Sequence, residues 1–394
     1  MGKQLDYLSG MIDDLKKDSL YNWPRTLEGA NKAVCVYDGK EVINLSSNNY
    51  LGLCDHPKVV ERAVEFTKKY GAGPGAVRTI AGSMKIHLDL EAKIADFKQC
   101  EACLLFQSGY TANSGTSAAL LDKGSIVFSD QLNHASIIDG IRISGTAKGV
   151  YKHSDMDDLK RLLEENKDKE YNRRLMVTDG VFSMDGDIAK LDEFAKLGKE
   201  YGCITMVDDA HASGVMGSHG RGTVDHFGLH GEIDIQVGTL SKAVGVLGGY
   251  VVGTRALIDW LMNRGRPILF STSLPPSAVG AVDAAFDILT ADDSLVKQLW
   301  KNREYWMNGL KNEGFNTGNT VTPIIPIIAG ENEKAVQLSQ KLFDEGLFAQ
   351  SLVFPTVPRG TARVRTIVTS KHTPDILDKA LDIFKKVGKE LGII

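Results

Sequence analysis

The chain has 394 residues, enough to bury a large core, and its 43% hydrophobic and 24% charged composition is that of an ordinary soluble protein of two or three domains or lobes. A formal charge of −4 without a Lys/Arg block excludes nucleic acid and an anionic membrane as expected partners. Five cysteines fit a reducing cytoplasm better than a disulfide framework, and the C-x-x-C of Cys100 and Cys103 has no second pair and reads as packing.

In chain order, Leu5, Leu8, Ile12 and Leu15 share one face of an amphipathic first helix, which reads as a docking element and not a targeting peptide. Residues 33–46 read as a hairpin about a turn at Asp38-Gly39. The polar run from Ser46 to Leu53 is either a loop holding an active-site amide or plain turn chemistry, and a helix is expected from Pro57. From about residue 60 to 285, short apolar strands at 102–106, 126–128, 175–177, 204–207, 233–237 and 250–252 alternate with helices such as 157–165 and 191–201. That alternation predicts a mostly parallel α/β sheet, whose ligands gather beyond the carboxyl ends of the strands. The uncharged stretch from Pro267 to Val282 holds three prolines, which argues against a membrane span. Strands at 324–328, 348–354 and 362–368 with amphipathic helices predict a smaller α+β unit. The expected organisation is a helix and hairpin over 1–45, a large α/β domain over 46–289 and an α+β domain over 290–394.

Polar residues after each strand are therefore the candidates. Gln107 to Asn113 contains a glycine turn opening a helix, where the free amides of Gly109 and Tyr110 make an anion site. His134, after the strand at 126–128, either stacks on an aromatic cofactor or caps a helix. Asp208 and His211 end the strand at 204–207. There a carboxylate is able to pair with a protonated ring nitrogen and a histidine with a phenolic oxygen, while metal ligation or a structural carboxylate are the rivals. Thr239 and Ser241 offer hydroxyls to a phosphate beside Lys242, the one charged residue between Asp234 and Arg255. A lysine in so uncharged a stretch either reaches water or has its pKa lowered, as a covalently working amine needs. A phosphate cradle, an acid for a ring nitrogen, a stacking histidine and an isolated lysine are together the parts expected around pyridoxal 5′-phosphate.

The ordered set Asn48-Asn49-Tyr50-Leu51-Gly52-Leu53, Asn133-His134-Ala135-Ser136, Val207-Asp208-Asp209-Ala210-His211 and Thr239-Leu240-Ser241-Lys242-Ala243 resembles the α-oxoamine synthases, pyridoxal phosphate enzymes of fold type I, over nearly the whole chain. This resemblance implies a large domain with a mostly parallel seven-stranded sheet and a cytoplasmic homodimer with shared active sites. Ser129 to Arg142, Thr178 to Gly186, Arg266 to Ser273 and Phe354 to Thr366 most resemble glycine C-acetyltransferase, or 2-amino-3-ketobutyrate CoA ligase. Condensation of glycine with acetyl-CoA, a step of threonine degradation, is then the expected reaction. The alternative is 8-amino-7-oxononanoate synthase, which joins alanine to a pimeloyl thioester with loss of CO2, or an enzyme of dual specificity. Gly71 to Gly82 is closer to bacterial enzymes assigned both reactions.

The resemblance also implies residue roles. Lys242 holds the cofactor covalently and later moves the Cα proton, Asp208 pairs with the pyridine nitrogen, and His211 and Ser183 contact the phenolic oxygen. His134 stacks on the ring, and Gly109, Tyr110 and Thr239 bind the phosphate. Thr272 and Ser273 reach the phosphate of the neighbouring subunit, and Asn49 and Arg365 hold the substrate carboxylate.

Overall fold

Continuous apolar runs with no polar alternation form strands buried on both faces, and six of the seven strands in the central sheet are of this kind or nearly so. The structure, a computed structural model, describes residues 3–17, 20, 21 and 23–394. In chain order the strands are β1 (Val34–Tyr37), β2 (Lys40–Asn44), β3 (Ala102–Phe106), β4 (Ile126–Asp130), β5 (Ala147–Tyr151), β6 (Arg174–Asp179), β7 (Ile204–Asp208), β8 (Ile235–Thr239), β9 (Gly249–Gly253), β10 (Ile324–Gly330), β11 (Leu347–Phe348), β12 (Gln350–Leu352) and β13 (Ala362–Ile367). The large sheet has the order β3-β9-β8-β7-β6-β4-β5. Only β9 runs antiparallel to its neighbours, so the expected mostly parallel, seven-stranded fold type I sheet is what the chain builds.

The hairpin forms as expected, with Asp38 and Gly39 at φ of 50° and 76° in the turn that matches strand twist. The helix Pro57–Tyr70 places its proline in the first turn, where the missing N–H costs nothing. Two differences from the expected elements have physical reasons. Strand β5 escaped notice because it is a half-exposed sheet edge with a lysine and a glycine instead of an apolar run. The stretch 348–354 is not one strand. Phe348 extends β2 in parallel, whereas Gln350 to Leu352 pair with β13, and the chain changes sheets at the fully buried Ala349.

Pro275 and Pro276 sit at the start of the helix Pro276–Ala291, and no helix among the described residues is long and apolar enough to cross a membrane. The N-terminal helix Tyr7–Lys17 has no buried residue, so its apolar face lies open.

Candidate active site

Because β3, β4, β6, β7 and β8 share one direction, their carboxyl ends meet at one edge of the sheet. There they wall a cavity of about 270 Å³, lined among others by Gly109, Tyr110, His134, Asp208, His211, Thr239 and Lys242. These seven are candidates read from the sequence, drawn together from a span of more than a hundred residues.

At one end of the cavity the helix Gly109–Leu120 begins. Ser108 caps it, accepting from the Thr111 amide at 3.1 Å. The amides of Gly109 and Tyr110 are left without carbonyl partners within the helix. A Cβ on Gly109 would lie 3.0 Å from the Thr239 Cβ, and one on Gly249 would lie 2.4 Å from the Ser108 carbonyl carbon. Two glycines thus bring the helix start against the strand-end hydroxyls, where Thr239 Oγ1 and Ser241 Oγ are 2.8 Å apart. Free amides with a hydroxyl pair opposite fit a phosphate.

At the other end, Asp208 accepts from the Ala210 amide at 2.8 Å and from Asn113 Nδ2 at 2.6 Å. Asn113 Nδ2 also donates to Ser136 Oγ at 2.9 Å. Ser136 Oγ lies 2.7 Å from His134 Nδ1, which also accepts the Ser136 amide. An N–H donor fixes Nδ1 as an acceptor, so the His134 imidazole is neutral with its proton on Nε2. Burial lowers its pKa, and the Lys242 charge adds to this against the pull of Asp208. His211 Nδ1 is 2.8 Å from the Tyr50 hydroxyl, and burial together with Lys242 and Arg365 holds that imidazole well below its usual pKa. Lys242 itself is pushed down to about 8 by burial, with the Asp208 carboxylate opposing. Its amine is therefore substantially neutral in mildly alkaline solution, as a nucleophile or base requires.

Five candidates lie outside this wall. Arg365 Nη1 donates to the Ser183 carbonyl at 3.0 Å, and burial lowers the guanidinium pKa. Among the described residues no carboxylate lies within ion-pair distance of Arg365, which leaves a buried cation for an anion to meet. Asn49 is spent on backbone: Nδ2 donates to Asn31 O, and Oδ1 accepts from Leu53 and Cys54 amides at 3.0 and 3.4 Å. It lines a separate cavity of about 400 Å³ instead. The Thr272 hydroxyl donates to Ala76 O at 2.9 Å, and Ser273 follows it in a segment that does not face this cavity.

Sequence reasoning assigned no role to Asn113, Ser136, Tyr50 or Asp179. Asn113 lies one turn after Gly109 and Ser136 two residues after His134, within quoted motifs, yet only the fold shows that one amide bridges Asp208 to Ser136.

The profile of the aminotransferase class I and II family matches residues 40–384. The chain belongs to this family and, within it, to the α-oxoamine synthases, pyridoxal phosphate enzymes of fold type I. It is 58% identical over 390 residues to an 8-amino-7-oxononanoate synthase of Thermoanaerobacter pseudethanolicus, covering 99% of this chain and 98% of that one. To the enzyme of that name from Treponema denticola it is 56% identical, with the same coverage. A structure of serine palmitoyltransferase from S. paucimobilis with a bound PLP–myriocin aldimine superposes with a TM-score of 0.94, at 32% identity and full coverage of both chains. A structure of 8-amino-7-oxononanoate synthase from Francisella tularensis gives 0.75, at 27% identity over 89% of this chain and 98% of the other.

These relatives correct one expectation. Glycine C-acetyltransferase, with glycine and acetyl-CoA as substrates and a place in threonine degradation, gives way because full-length relatives at 49–58% identity carry the name 8-amino-7-oxononanoate synthase. Of the stretches behind that expectation, Arg266 to Ser273 and Phe354 to Thr366 contribute nothing to the wall of this cavity. The cavity fits pyridoxal phosphate: its amide and hydroxyl end suits the phosphate, and the Asp208 carboxyl at the other end suits a ring nitrogen.

Proposed function

We propose that this chain condenses alanine with a pimeloyl thioester to give 8-amino-7-oxononanoate, CO2 and the free thiol, in the cytoplasm and as a homodimer. The observation that carries this reading is the 58% identity, over 99% of the chain, to a protein bearing that enzyme's name. When bound, pyridoxal phosphate supplies an electron sink for the pair left as bonds to the amino acid's α carbon break.

The chain's own residues do the rest. Lys242 would hold the cofactor and would take the Cα proton, a task suited to an amine with a pKa of about 8. Asp208, which accepts from Asn113 and the Ala210 amide, would pair with the ring nitrogen. His134 and His211 present neutral imidazoles, so neither adds a cation beside Lys242, and His211 with Ser183 serves the phenolic oxygen. Gly109, Tyr110 and Thr239 receive the phosphate, joined by Thr272 and Ser273 from the second subunit. Arg365, a buried guanidinium with no carboxylate beside it among the described residues, orients the substrate carboxylate until it leaves as CO2. Asn49 acts through the loop it braces and not by direct contact.

Thiol release is to be followed with alanine or glycine against pimeloyl-CoA or acetyl-CoA. The expected outcome is kcat/KM for alanine and pimeloyl-CoA at least about tenfold above every other pair, one decade being about 1.4 kcal/mol of transition-state preference. A preference for a short acyl chain refutes the reading.

A further inference from the structure

Two acidic side chains line the cavity. Asp179 ends β6 and Asp208 ends β7, and the two are register partners on adjacent parallel strands. Partners of this kind project from the same face of a sheet with backbones about 4.8 Å apart. Both are buried, at 6% and 4% exposure. Two carboxylates so placed do not both ionise without compensation, and the proton settles on the one whose anion is less well served.

Their hydrogen bonds differ in that respect. Asp208 takes one donor on each oxygen, from the Ala210 amide and from Asn113. Asp179 Oδ1 is buried without any partner. The groups facing Asp179 are Asp208 from β7, Lys242 after β8, the His134 amide ahead of the helix Ala135–Ser144, Asp130 from β4 and Tyr151 from β5. Asp130 adds a second negative charge against Asp179, and the His134 imidazole brings no charge.

We propose that Asp179 and Asp208 form a proton-sharing carboxylate pair, with the proton on Asp179, and that Asp179 thereby sets the charge Asp208 presents to the cofactor's ring nitrogen. The effect on the cofactor rests on the pyridoxal phosphate reading of the cavity, whereas the pair itself stands without it. Burial raises the Asp179 pKa well above the usual value, with Asp208 as the next cause. In alkaline solution the Asp179 O–H bond breaks, its proton passes to water, and a second negative charge appears beside Asp208. That charge favours the protonated forms of both the ring nitrogen and Lys242. Asp179 is thus a positioning residue for charge, acting through its neighbour.

The test uses the full chain labelled with carboxyl-13C aspartate, with and without pyridoxal phosphate, together with Asp179→Asn. In the wild type one γ-carboxyl resonance is expected to stay at its protonated position through neutral pH and to be missing from Asp179→Asn. With the cofactor bound, the alkaline step of the visible-absorbance titration is expected to vanish in Asp179→Asn or to move by about one pH unit or more. Ionisation of every aspartate by about pH 5 in the wild type overturns the pair, and needs no variant to fold. An alkaline absorbance step unmoved in Asp179→Asn overturns the coupling to the cofactor. A chain that binds no pyridoxal phosphate overturns the cofactor reading and with it that coupling, while the resonance measured without cofactor still decides the pair.

Discussion

Lys98 Nζ lies 3.0 Å from Asp209 Oδ2 with both side chains at 1% exposure or less, so the residue next to Asp208 is half of a buried ion pair. Asp209 also accepts from the Thr223 amide and hydroxyl, and Lys98 donates to the Arg221 carbonyl. The loop that carries Asp208 and His211 is therefore pinned from behind by charge as well as by β7. Removing the cation alone leaves a carboxylate buried and uncompensated, the costliest way to break such a pair. Lys98→Met is expected to lose about 3–5 kcal/mol in urea unfolding. Lys98→Met combined with Asp209→Leu should recover part of that loss, because no lone charge remains.

A second charged strut ties the end of β4 to the segment after β6. His153 places Nδ1 at 3.1 Å from Asp130 and Nε2 at 2.9 Å from Asp187, so both ring nitrogens face acids. Burial opposes the imidazolium, but the hydrogen bonds to the two aspartates overcome it and raise the pKa from 6.5 to about 10. A folded-state pKa above the unfolded one gives stability that is full below about pH 6.5 and is lost as pH rises through about 10. His153→Gln should therefore cost on the order of 2 kcal/mol at neutral pH, discounted for partial exposure, and much less above pH 10. Denaturation curves at the two pH values check this, and an equal cost at both would show that the charge contributes nothing.

The sequence announced the sheet because β3, β4, β6, β7 and β8 are buried apolar runs closed by polar residues. Reading those closing residues as site candidates located Lys242, Asp208, His211 and His134 in one cavity. The pairings between them were not legible. That Asn113 reaches Asp208, or that Tyr50 reaches His211 across 161 positions, depends on a helix packing over strand ends and leaves no mark in local pattern. Asp179 was hidden for a related reason, since register between β6 and β7 decides that it stands beside Asp208.

Arg365 supplies a test of how the amino acid is held. Its guanidinium is half-occupied by the Ser183 carbonyl and has no acid beside it among the described residues, so the substrate carboxylate is its natural counter-ion. A buried charge-assisted hydrogen bond contributes about 1.5–3 kcal/mol. Arg365→Ala should raise the alanine KM roughly 10- to 150-fold while leaving the acyl thioester KM near its wild-type value. Arg365→Lys restores charge without the planar fork and should recover only part of the affinity. Steady-state kinetics with each substrate varied in turn decide it, and an unchanged alanine KM removes Arg365 from the carboxylate site.

Lys242 has the opposite pH signature to His153. Its pKa falls from 10.5 to about 8 on folding, chiefly through burial. Between those values the unfolded chain binds more protons, so stability rises with pH across this window and the penalty of a buried ammonium is full below about pH 8. In the cofactor-free protein, Lys242→Met removes that penalty and should stabilise the fold by about 1–3 kcal/mol at neutral pH. The gain should shrink to nothing as pH approaches 10.5, which urea unfolding at about pH 7 and 10.5 measures directly. With pyridoxal phosphate and substrates present, the same variant should lose turnover by on the order of 10³-fold or more, since no other amine among the described residues lines the cavity to take the Cα proton. Greater stability combined with lost turnover is the behaviour of a residue held in a costly state for chemistry. A variant less stable than the wild type at neutral pH would show instead that Lys242 is an ordinary packing lysine.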